Sequence, residues 1–405
     1  MKKIVIFGAG KIGRSFIGQL FSRSGYEVVF IDLDQQLVEL LNLHQQYTVV
    51  IKSDQDQVLN VQNVRAVSGS ETEKVISELK TTDIVAVSVG KQALPKVLPV
   101  IAYGLKTRWE VDPDSKLDII LAENMRDAAD FAHHELAKYL PEPEKLVNVG
   151  LIETSIGKMV PIMSSEELAA DPLRVFAEPY NTLILDRQAF VNPVPDVEGL
   201  APKDQMKAWV DRKTFIHNLG HAATAYLGYL YDPEFKYTYE VLEVADLKQD
   251  VRSTMQQAAE MLLHKYPEVF DAKALTAHIE DLLYRFANRS LGDTIFRVGL
   301  DLNRKLSPDD RLAGAIRLCL QEKTSFDQIL YTTIAGMYFR AKDENGNLFE
   351  GDKSFAEHVS ARGISVILKE VCGFEEKNHP QVFRKAEQMN KNIIDRFKPS
   401  FELNF

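Results

Sequence analysis

Residues 3–13 read KIVIFGAGKIG, an apolar run followed by glycines in the spacing GxGxxG. The apolar run predicts a short buried strand, and the apolar spacing of residues 16–21 predicts a helix directly after the glycines. A second predicted strand, at residues 26–31, is followed by Asp32. A strand, a glycine turn, a helix, a strand and an acidic residue in this order are typical of a dinucleotide-binding fold.

The glycine turn and the acidic residue predict how a dinucleotide is held. Glycines let the backbone approach a pyrophosphate, and the start of the following helix supplies N–H donors and a positive dipole. Asp32 stands about 20 residues past the glycines, where a carboxylate can accept from ribose hydroxyls and repel a 2′-phosphate. We therefore expect NAD rather than NADP; the alternative is a glycine turn that binds no nucleotide. The predicted cofactor-binding residues are Gly8, Gly10, Lys11, Ile12, Gly13, Asp32, Val89 and Gly90.

Three further predicted strands, at residues 83–90, 117–122 and 146–152, alternate with helical segments. Strands separated by helices predict an α/β fold with a Rossmann-type doubly wound sheet, in which ligands bind beyond the carboxyl ends of the strands. Asn124 follows one of these strands and is therefore a candidate to face the nicotinamide or the substrate. Its alternative role is to cap the helix predicted for residues 125–140.

The second half of the chain follows a different pattern. Between residues 172 and 202, prolines and glycines predict an irregular connector. Beyond residue 203 helical spacing prevails, which predicts a mostly α-helical C-terminal domain. We expect an NAD-binding Rossmann-type domain at residues 1–195 and a helical substrate and catalytic domain at residues 196–405. The predicted helical segments are 203–230, 235–265, 272–288, 308–320, 325–339, 353–371 and 380–396.

Composition narrows the class of protein. The chain has 405 residues, 45% hydrophobic and 26% charged, as in globular proteins, and its net charge of -10 argues against nucleic-acid binding. Its 2 cysteines lack zinc spacing, so we expect no metal site and a reducing compartment. The first apolar run stops at Gly8, and no segment reaches about 18 consecutive apolar residues. We expect a cytoplasmic protein that binds no membrane and is a monomer or weak homodimer.

Residues 211–221 read DRKTFIHNLGH and place a lysine, an asparagine and two histidines in an apolar helical segment. On an α-helix, His217 lies about 40° from Lys213, His221 about 80° and Asn218 about 140°, so that all four can face one cavity. A lysine in such a cavity loses hydration, and its pKa falls toward the range of a general base. The alternative is an amphipathic helix whose polar face is solvated.

Residues 297–311 read RVGLDLNRKLSPDDR and concentrate positive charge in an acidic protein. Guanidinium groups bind phosphate with matched geometry, so a phosphate site is predicted. Ser307 and Pro308 also resemble a helix cap and first helical position. The alternative is a solvated loop whose cations pair with its own aspartates. The four cationic residues are Arg297, Arg304, Lys305 and Arg311.

These features together resemble a known family. A glycine motif, a helical C-terminal half and the pattern Lys213-xxxx-Asn218-xx-His221 are similar to the long-chain, metal-independent polyol dehydrogenases, the mannitol dehydrogenase family. The Lys-xxxx-Asn-xx-His pattern is the signature of that family. The likeness covers most of residues 1–340. Other similar segments are 7–18, 122–125, 220–228 and 304–307.

The resemblance implies a role for each polar residue. Lys213 is implied to be the general base in alcohol oxidation and the acid in ketone reduction, with no metal required. Asn124 and Asn218 are implied to donate to the reacting oxygen, and His221 rather than His217 to orient the substrate and the lysine. The implied reaction uses NAD and converts a polyol phosphate into a ketose phosphate; mannitol 1-phosphate and fructose 6-phosphate are the best single pair. The basic residues of 297–311 then form a phosphate clamp.

One segment departs from the family pattern. The family usually has Val-Asp-Arg-Ile before a proline, whereas residues 154–161 read TSIGKMVP. Gly157 replaces the aspartate, and Lys158, a further candidate for substrate binding, replaces the arginine with a point charge. A hexuronate reductase (tagaturonate or fructuronate) or another sugar-phosphate reductase is therefore the alternative within the family. An alternative of another class is a non-catalytic NAD(H)-binding sensor.

Overall fold

The structure of the chain divides into two compact units, with the division between Val210 and Asp211. The first unit combines sheets with helices, and the second is largely helical. The structure is a computed structural model, and it describes residues 2–53, 55–161, 163–359, 362–399 and Leu403.

The first unit is built on two sheets. One sheet has the strand order β11-β10-β8-β7-β6-β1-β2-β5, and the other has the order β4-β3-β9. The pairs from β8 through β5 in the larger sheet are parallel, and β10 runs antiparallel to β8. The predicted doubly wound α/β fold is confirmed. The strands are β1 (Lys3–Phe7), β2 (Glu27–Asp32), β3 (Gln46–Ile51), β4 (Gln57–Gln62), β5 (Val64–Ser68), β6 (Ile84–Val87), β7 (Leu117–Leu121), β8 (Val149–Ser155), β9 (Val175–Ala177), β10 (Leu183–Asp186) and β11 (Leu200–Lys203).

Helices connect these strands and cover the sheet. A short π-helix follows the glycine turn, and an α-helix continues from it. The helices of this part of the chain are the π-helix Gly13–Gly18, the α-helices Gln19–Arg23, Gln35–His44, Thr72–Thr81, Leu94–Val111, Ala128–Ala137, Ser165–Ala170 and Met206–Arg212, and the 3₁₀ helix Pro143–Asn148.

The apolar run of β1 is explained by burial on both faces of the sheet. Side chains alternate along a strand, so Ile4 and Ile6 enter one apolar cluster, while Val5 and Phe7 enter another. Strands of parallel sheets covered by helices therefore read as continuous apolar runs rather than as alternating patterns. This is why residues 3–7 could be predicted as a buried strand.

The structure differs from the sequence prediction in two parts of this unit. Strands β3, β4 and β5 were not predicted, and β4 at the edge of its sheet exposes most of its side chains. The connector expected at residues 172–202 contains β9, β10 and β11, of 3 to 4 residues each. β9 pairs with β3, β10 pairs with β8, and β11 pairs with β10. Pairing between segments distant along the chain leaves little trace in a local pattern.

The second unit confirms the predicted helical C-terminal half. The helix predicted to begin near Ser307 and Pro308 begins instead at Ala313, after turns at residues 306–312, so their capping role was wrong. Across the residues that the structure describes, no helix is both long enough and apolar enough to span a membrane. The helices are π Lys213–Asn218, α Leu219–Tyr231, Thr238–Glu243, Ala245–Lys265, Ala272–Phe286, 3₁₀ Arg289–Leu291, α Ile295–Gly299, Leu302–Lys305, Ala313–Glu322, Asp327–Met337, Glu350–Ser354, π Phe355–Val359, α Ile364–Val366, π Ile367–Val371 and α Pro380–Phe397.

Candidate active site

The glycine turn leaves room for a ligand at one position and excludes side chains at two others. Gly8 has φ +94°, and a Cβ there would lie 2.6 Å from the carbonyl oxygen of Ser88. A Cβ on Gly13 would lie 1.9 Å from the carbonyl oxygen of Gly8. Gly10 is exposed, and a Cβ there would have nothing within 4 Å. The turn is thus tightly folded beneath an open backbone surface, which suits a pyrophosphate.

Asp32 is fixed at the end of β2 by two backbone groups. One carboxylate oxygen, Oδ2, accepts from the N–H of Ala9 at 2.7 Å, and Oδ1 accepts from the N–H of Asp34 at 3.0 Å. The carboxylate therefore ties the glycine turn to the second strand. A carboxylate has about four acceptor positions, so these bonds leave capacity for the predicted ribose hydroxyls.

Arg14, which the sequence analysis did not single out, braces the glycine turn. Its side chain is buried; Nε donates to the carbonyl of Ala9 at 2.7 Å, and Nη1 donates to that of Leu173 at 2.8 Å. Burial lowers the pKa of Arg14. Tyr47 in turn donates its hydroxyl to the carbonyl of Arg14 at 2.7 Å. A charged residue inside an apolar helical pattern was the signal that could have revealed this brace.

Val89 and Gly90, predicted to contact the cofactor, donate their backbone N–H groups to a buried carboxylate. Glu123 Oε1 accepts from Val89 at 2.8 Å and from Gly90 at 3.0 Å. Burial raises the pKa of Glu123, although these two hydrogen bonds favour its charged form. Glu123 therefore joins the loops after two neighbouring strands, β6 and β7. Its position directly after the strand predicted at residues 117–122 was the signal that could have pointed to it.

Asn124, the next residue, is exposed. The helix that it was expected to cap begins only at Ala128, with Asp127 as the flanking residue. The capping alternative for Asn124 was therefore wrong, because three residues separate it from the helix. Its predicted role toward the nicotinamide or the substrate stays a prediction.

The Lys213 segment is a π-helix over Lys213–Asn218, not the α-helix on which the predicted angles were based. In an α-helix residue i+5 lies about 140° from residue i. In a π-helix the backbone hydrogen bonds join residues five apart, so residue i+5 lies on the same side as residue i. The wider turn therefore brings the side chain of Asn218 to the same side of the helix as that of Lys213.

The surroundings of Lys213 favour the neutral form of its amine. It is partly buried, and burial lowers the pKa of Lys213 to about 8; the positive charge of Arg311 acts in the same direction. Arg311 is anchored at the π-helix, because its Nη1 donates to the carbonyl of Asn218 at 3.3 Å. Its Nε donates to Asp310 at 2.8 Å. A cation is thus held beside the lysine by backbone and carboxylate contacts.

The two histidines of this helix have different surroundings. His217 is buried, and its ring meets Phe286 edge-on, with 5.5 Å between the ring centroids. His221 stacks on the same ring at 4.7 Å and an interplanar angle of 11°, and its Nε2 lies 3.1 Å from Oδ2 of Asp293. Burial holds the pKa of both histidines well below the usual value, so both rings are neutral at neutral pH.

Another carboxylate, that of Asp211, lies two residues before Lys213, and its structural role was not predicted. Asp211 is buried, and its Oδ2 accepts from Nζ of Lys265 at 2.9 Å and from the hydroxyl of Tyr266 at 2.6 Å. These contacts fix the backbone entering the π-helix to the end of the helix Ala245–Lys265. A buried carboxylate paired in this way resists displacement, because breaking one contact leaves charge buried.

The basic residues of 297–311 have carboxylate or carbonyl partners. Arg297 pairs with Asp293, and Arg304 pairs with Asp301 and Asp310. Lys305 is buried, and its Nζ donates to the carbonyl of Val298 at 2.6 Å. Arg304 thus pairs with aspartates of this segment, as the solvated-loop alternative expected, whereas Asp293, the partner of Arg297, lies outside the segment.

The charges of this segment act on the helix that carries Lys213. Burial lowers the pKa of Lys305 to about 7, with Arg311 as the next cause. Arg304 and Arg311 both lower the pKa of Lys213, whereas Asp310 raises it. The basic segment and the lysine therefore belong to one electrostatic cluster within the second unit. Which of the four cations binds a phosphate stays a prediction.

Lys158 is directed into the first unit. Its Nζ donates to the carbonyl of Tyr180 at 2.7 Å and to Oδ1 of Asn181 at 3.0 Å, and it lies 5.1 Å from the centroid of the Phe16 ring. A Cβ on the neighbouring Gly157 would lie 3.4 Å from the Tyr180 ring. The segment that departs from the family pattern, at Gly157 and Lys158, thus packs against the loop that contains Tyr180 and Asn181.

Comparisons with known proteins agree over nearly the whole chain. A model described as the mannitol dehydrogenase Rossmann domain matches residues 2–199, and one described as the mannitol dehydrogenase C-terminal domain matches residues 205–394. Mannitol-1-phosphate 5-dehydrogenase from Enterococcus faecalis is 30% identical over 388 residues, which cover 95% of this chain and 96% of that one.

Two solved structures share the fold. D-sorbitol dehydrogenase in substrate-free form has a TM-score of 0.79 and 16% identity, and covers 97% of this chain and 93% of its own. Mannitol 2-dehydrogenase of Pseudomonas fluorescens, in a ternary complex with NAD and D-mannitol, has a TM-score of 0.74 and 16% identity, and covers 97% of this chain and 92% of its own.

Proposed function

The chain belongs to the mannitol dehydrogenase family, and on this premise we propose that it is an NAD-dependent, metal-independent dehydrogenase that interconverts a polyol phosphate and a ketose phosphate. The best single pair is D-mannitol 1-phosphate and fructose 6-phosphate. The relative from Enterococcus faecalis, which aligns along almost its full length, supports this choice by its name.

The observation that carries the proposal is the state of Lys213. Burial lowers the pKa of this lysine to about 8, so near neutral pH it can both accept and donate a proton. In alcohol oxidation the neutral amine takes the hydroxyl proton, and in ketone reduction the ammonium returns it. We assign to Asn218, on the same side of the π-helix, and to Asn124 the donation of hydrogen bonds to the reacting oxygen.

The first unit contributes the residues that would hold NAD. The glycine turn fits a pyrophosphate, since Gly10 presents open backbone where Gly8 and Gly13 are tightly packed. Lys11 and Ile12 begin the helical segment beside it. Asp32 would accept from the ribose hydroxyls through its remaining acceptor positions. NAD, when bound, supplies the hydride acceptor of the reaction.

The phosphate specificity rests on the basic segment. Arg304 has a side chain that is 48% exposed, whereas Lys305 and Arg311 are buried. Arg304 is thus the guanidinium that solvent reaches most readily, and a phosphate would compete with Asp301 and Asp310 for it. We propose Arg304 as the first contact of the phosphate, with the other cations supporting it through their charge.

The setting of this activity is proposed from the remaining features. Cys319 and Cys372 are buried free thiols, as suits the cytoplasm. We expect the enzyme to act as a monomer or weak homodimer.

The experiment that tests the proposal is a substrate panel. Fructose 6-phosphate, fructose and tagaturonate are each reduced with NADH and with NADPH, and the loss of absorbance gives kcat/KM. We expect the highest value for fructose 6-phosphate with NADH. A higher kcat/KM for fructose would rule out the proposed phosphate site. A higher kcat/KM for tagaturonate would establish the hexuronate alternative. Failure of all substrates would favour the sensor.

One pair of variants locates the phosphate contact. Arg304→Gln should lower kcat/KM for fructose 6-phosphate about 10-fold and leave that for fructose nearly unchanged, because a charge-assisted contact is lost. Arg252→Gln is the matched control, since Arg252 also pairs with a carboxylate, that of Glu280, on a helix surface of the same unit. An equal loss with both sugars would place Arg304 elsewhere than at the phosphate.

A further inference from the structure

We propose that Asp293 is a positioning residue of the site: its carboxylate accepts the Nε2–H of His221 and so leaves Nδ1 of His221 as a hydrogen-bond acceptor for a substrate hydroxyl. The acceptor role rests on the proposed function, whereas the geometry of the pair does not. Asp293 is 3% exposed, and its Oδ2 lies 3.1 Å from Nε2 of His221. Neither sequence motif contains this aspartate.

The backbone holds the Asp293 carboxylate in place. The carbonyl of Asp293 accepts from the N–H of Thr238 at 3.0 Å. The next residue, Thr294, forms an isolated antiparallel bridge with Tyr237, and its hydroxyl caps the helix Ile295–Gly299 by accepting from the N–H of Arg297. Contacts on both sides of Asp293 thus fix where its side chain starts.

The Asp293 carboxylate also accepts from Arg297. The guanidinium of Arg297 approaches Oδ1, while His221 takes Oδ2. A buried carboxylate requires such partners, because an unpaired buried charge is costly. Arg297, first expected to bind phosphate, therefore has a second role: it stabilises the carboxylate that orients the histidine.

The face of the His221 ring is fixed separately. It stacks on Phe286 at 4.7 Å between centroids and 11° between planes, and Phe286 is itself buried at the end of the helix Ala272–Phe286. Rotation of the imidazole by 180° would place Cε1 instead of Nε2 against Asp293 and would lose the hydrogen bond. The stacking and the carboxylate together select one orientation of the ring.

One orientation implies one tautomer. His221 is neutral, and in a neutral imidazole one nitrogen carries hydrogen while the other accepts. The nitrogen that faces a carboxylate carries the hydrogen, as is general for histidines held by an acidic partner. Nδ1 is then an acceptor, which suits a hydroxyl of an open-chain polyol and does not suit a carboxylate. His221 would thus orient an O–H group rather than deliver a proton.

The first test is the tautomer of His221 in the whole wild-type protein. Nitrogen NMR of the chain labelled with ¹⁵N-histidine distinguishes the two ring nitrogens, and His221→Asn identifies the resonances of His221. The proposal predicts hydrogen on Nε2 and a bare Nδ1 at neutral pH. Hydrogen on Nδ1 alone, or on both nitrogens, overturns it. This result requires no turnover.

The second test is Asp293→Ala, with Glu280→Gln as the matched control because Glu280 pairs with Arg252 away from His221. We expect Asp293→Ala to lower kcat/KM about 10- to 100-fold, to keep the NADH dissociation constant and to shift His221 toward the other tautomer. An unchanged tautomer with unchanged kcat/KM overturns the proposal. If the wild-type protein turns over no substrate of the panel, the proposed function fails, and the tautomer still decides the role of Asp293.

Discussion

Each of the two motifs of this chain overlaps a π-helix of 6 residues, yet the two segments use the same geometry differently. Gly13–Gly18 has a glycine at each end, and both glycines are buried in close contacts: a Cβ on Gly13 would lie 1.9 Å from the carbonyl oxygen of Gly8, and a Cβ on Gly18 would lie 2.6 Å from the hydroxyl of Tyr47. Lys213–Asn218 has a lysine and an asparagine at its ends, and the wider turn places these side chains together. The first segment depends on the absence of side chains at its two ends, whereas the second depends on the alignment of the side chains at its two ends.

The two segments also differ in how a carbonyl within them is satisfied. A π turn changes the hydrogen-bond register, and polar groups released by that change need other partners. In the first segment the neutral hydroxyl of Tyr47 donates to the carbonyl of Arg14. In the second the guanidinium of Arg311 donates to the carbonyl of Asn218 and lowers the pKa of Lys213. The second contact therefore links helix shape to proton affinity.

The largest effect is expected from Lys213→Ala. Loss of the general base should lower kcat about 10²- to 10⁴-fold in both directions, while NADH still binds. Steady-state kinetics and a fluorescence titration with NADH measure the two quantities. Lys273→Ala, at an exposed position of the helix Ala272–Phe286, is the control. Activity of Lys213→Ala near the wild-type value would refute the role of the lysine.

The difference between the two segments also explains what the sequence could predict. The spacing of Gly8, Gly10 and Gly13 is readable because a missing side chain is a local property of the chain. The π turn at Lys213 was not readable, because apolar spacing does not distinguish hydrogen bonds four and five residues apart. Tertiary packing is equally absent from the local pattern: a Cβ on Gly220, in the following α-helix, would lie 2.5 Å from Sδ of Met255, a residue remote in sequence.

The partners of individual side chains likewise could not be predicted from the sequence. Glu123 and Asp293 are buried carboxylates whose partners are brought to them by strand order and helix packing. Lys158 was assigned to the substrate from a family pattern, whereas its partners Tyr180 and Asn181 follow from the course of the loop before β10. Residue types therefore predict the kind of chemistry that a site can perform, whereas tertiary contacts determine which atoms meet.

The next effect separates two glycines of the glycine motif, Gly13 and Gly10. Gly13→Ala should destabilise the protein by about 1–3 kcal/mol, because its Cβ would meet the carbonyl of Gly8 at 1.9 Å. Gly10→Ala should leave the thermal unfolding midpoint unchanged and weaken NADH binding, because its Cβ enters only the open surface. Calorimetry and NADH titration check both. Equal effects on stability would contradict the described turn.

A smaller effect distinguishes the two carbonyl contacts. Arg311→Met should move the pH midpoint of activity to higher pH, since a positive neighbour of Lys213 is removed. Tyr47→Phe should cost about 1 kcal/mol of stability and leave the pH profile unchanged, because only a neutral hydrogen bond is lost. The profiles of kcat/KM against pH for both variants give the comparison. A shifted pH midpoint in Tyr47→Phe, or an unshifted one in Arg311→Met, would show that the two carbonyl contacts do not differ in this way.

The smallest effect on catalysis is expected from Lys158→Met. The KM for fructose 6-phosphate should stay within about 2-fold, while stability falls through loss of the hydrogen bonds to Tyr180 and Asn181. Thermal unfolding and kinetics with both fructose and fructose 6-phosphate measure these changes. A large rise in KM confined to the phosphorylated sugar would instead show that Lys158 binds the substrate.

The most direct test of the central claim, that the buried π-helix makes Lys213 a general base near neutral pH, is the pH dependence of the wild-type enzyme in both directions. Oxidation of mannitol 1-phosphate requires the neutral amine, so its kcat/KM should rise through about pH 8 and then level off. Reduction of fructose 6-phosphate requires the ammonium, so its kcat/KM should fall through the same pH. Profiles that are flat across this range, or that change only near the ordinary pKa of lysine, would contradict the claim.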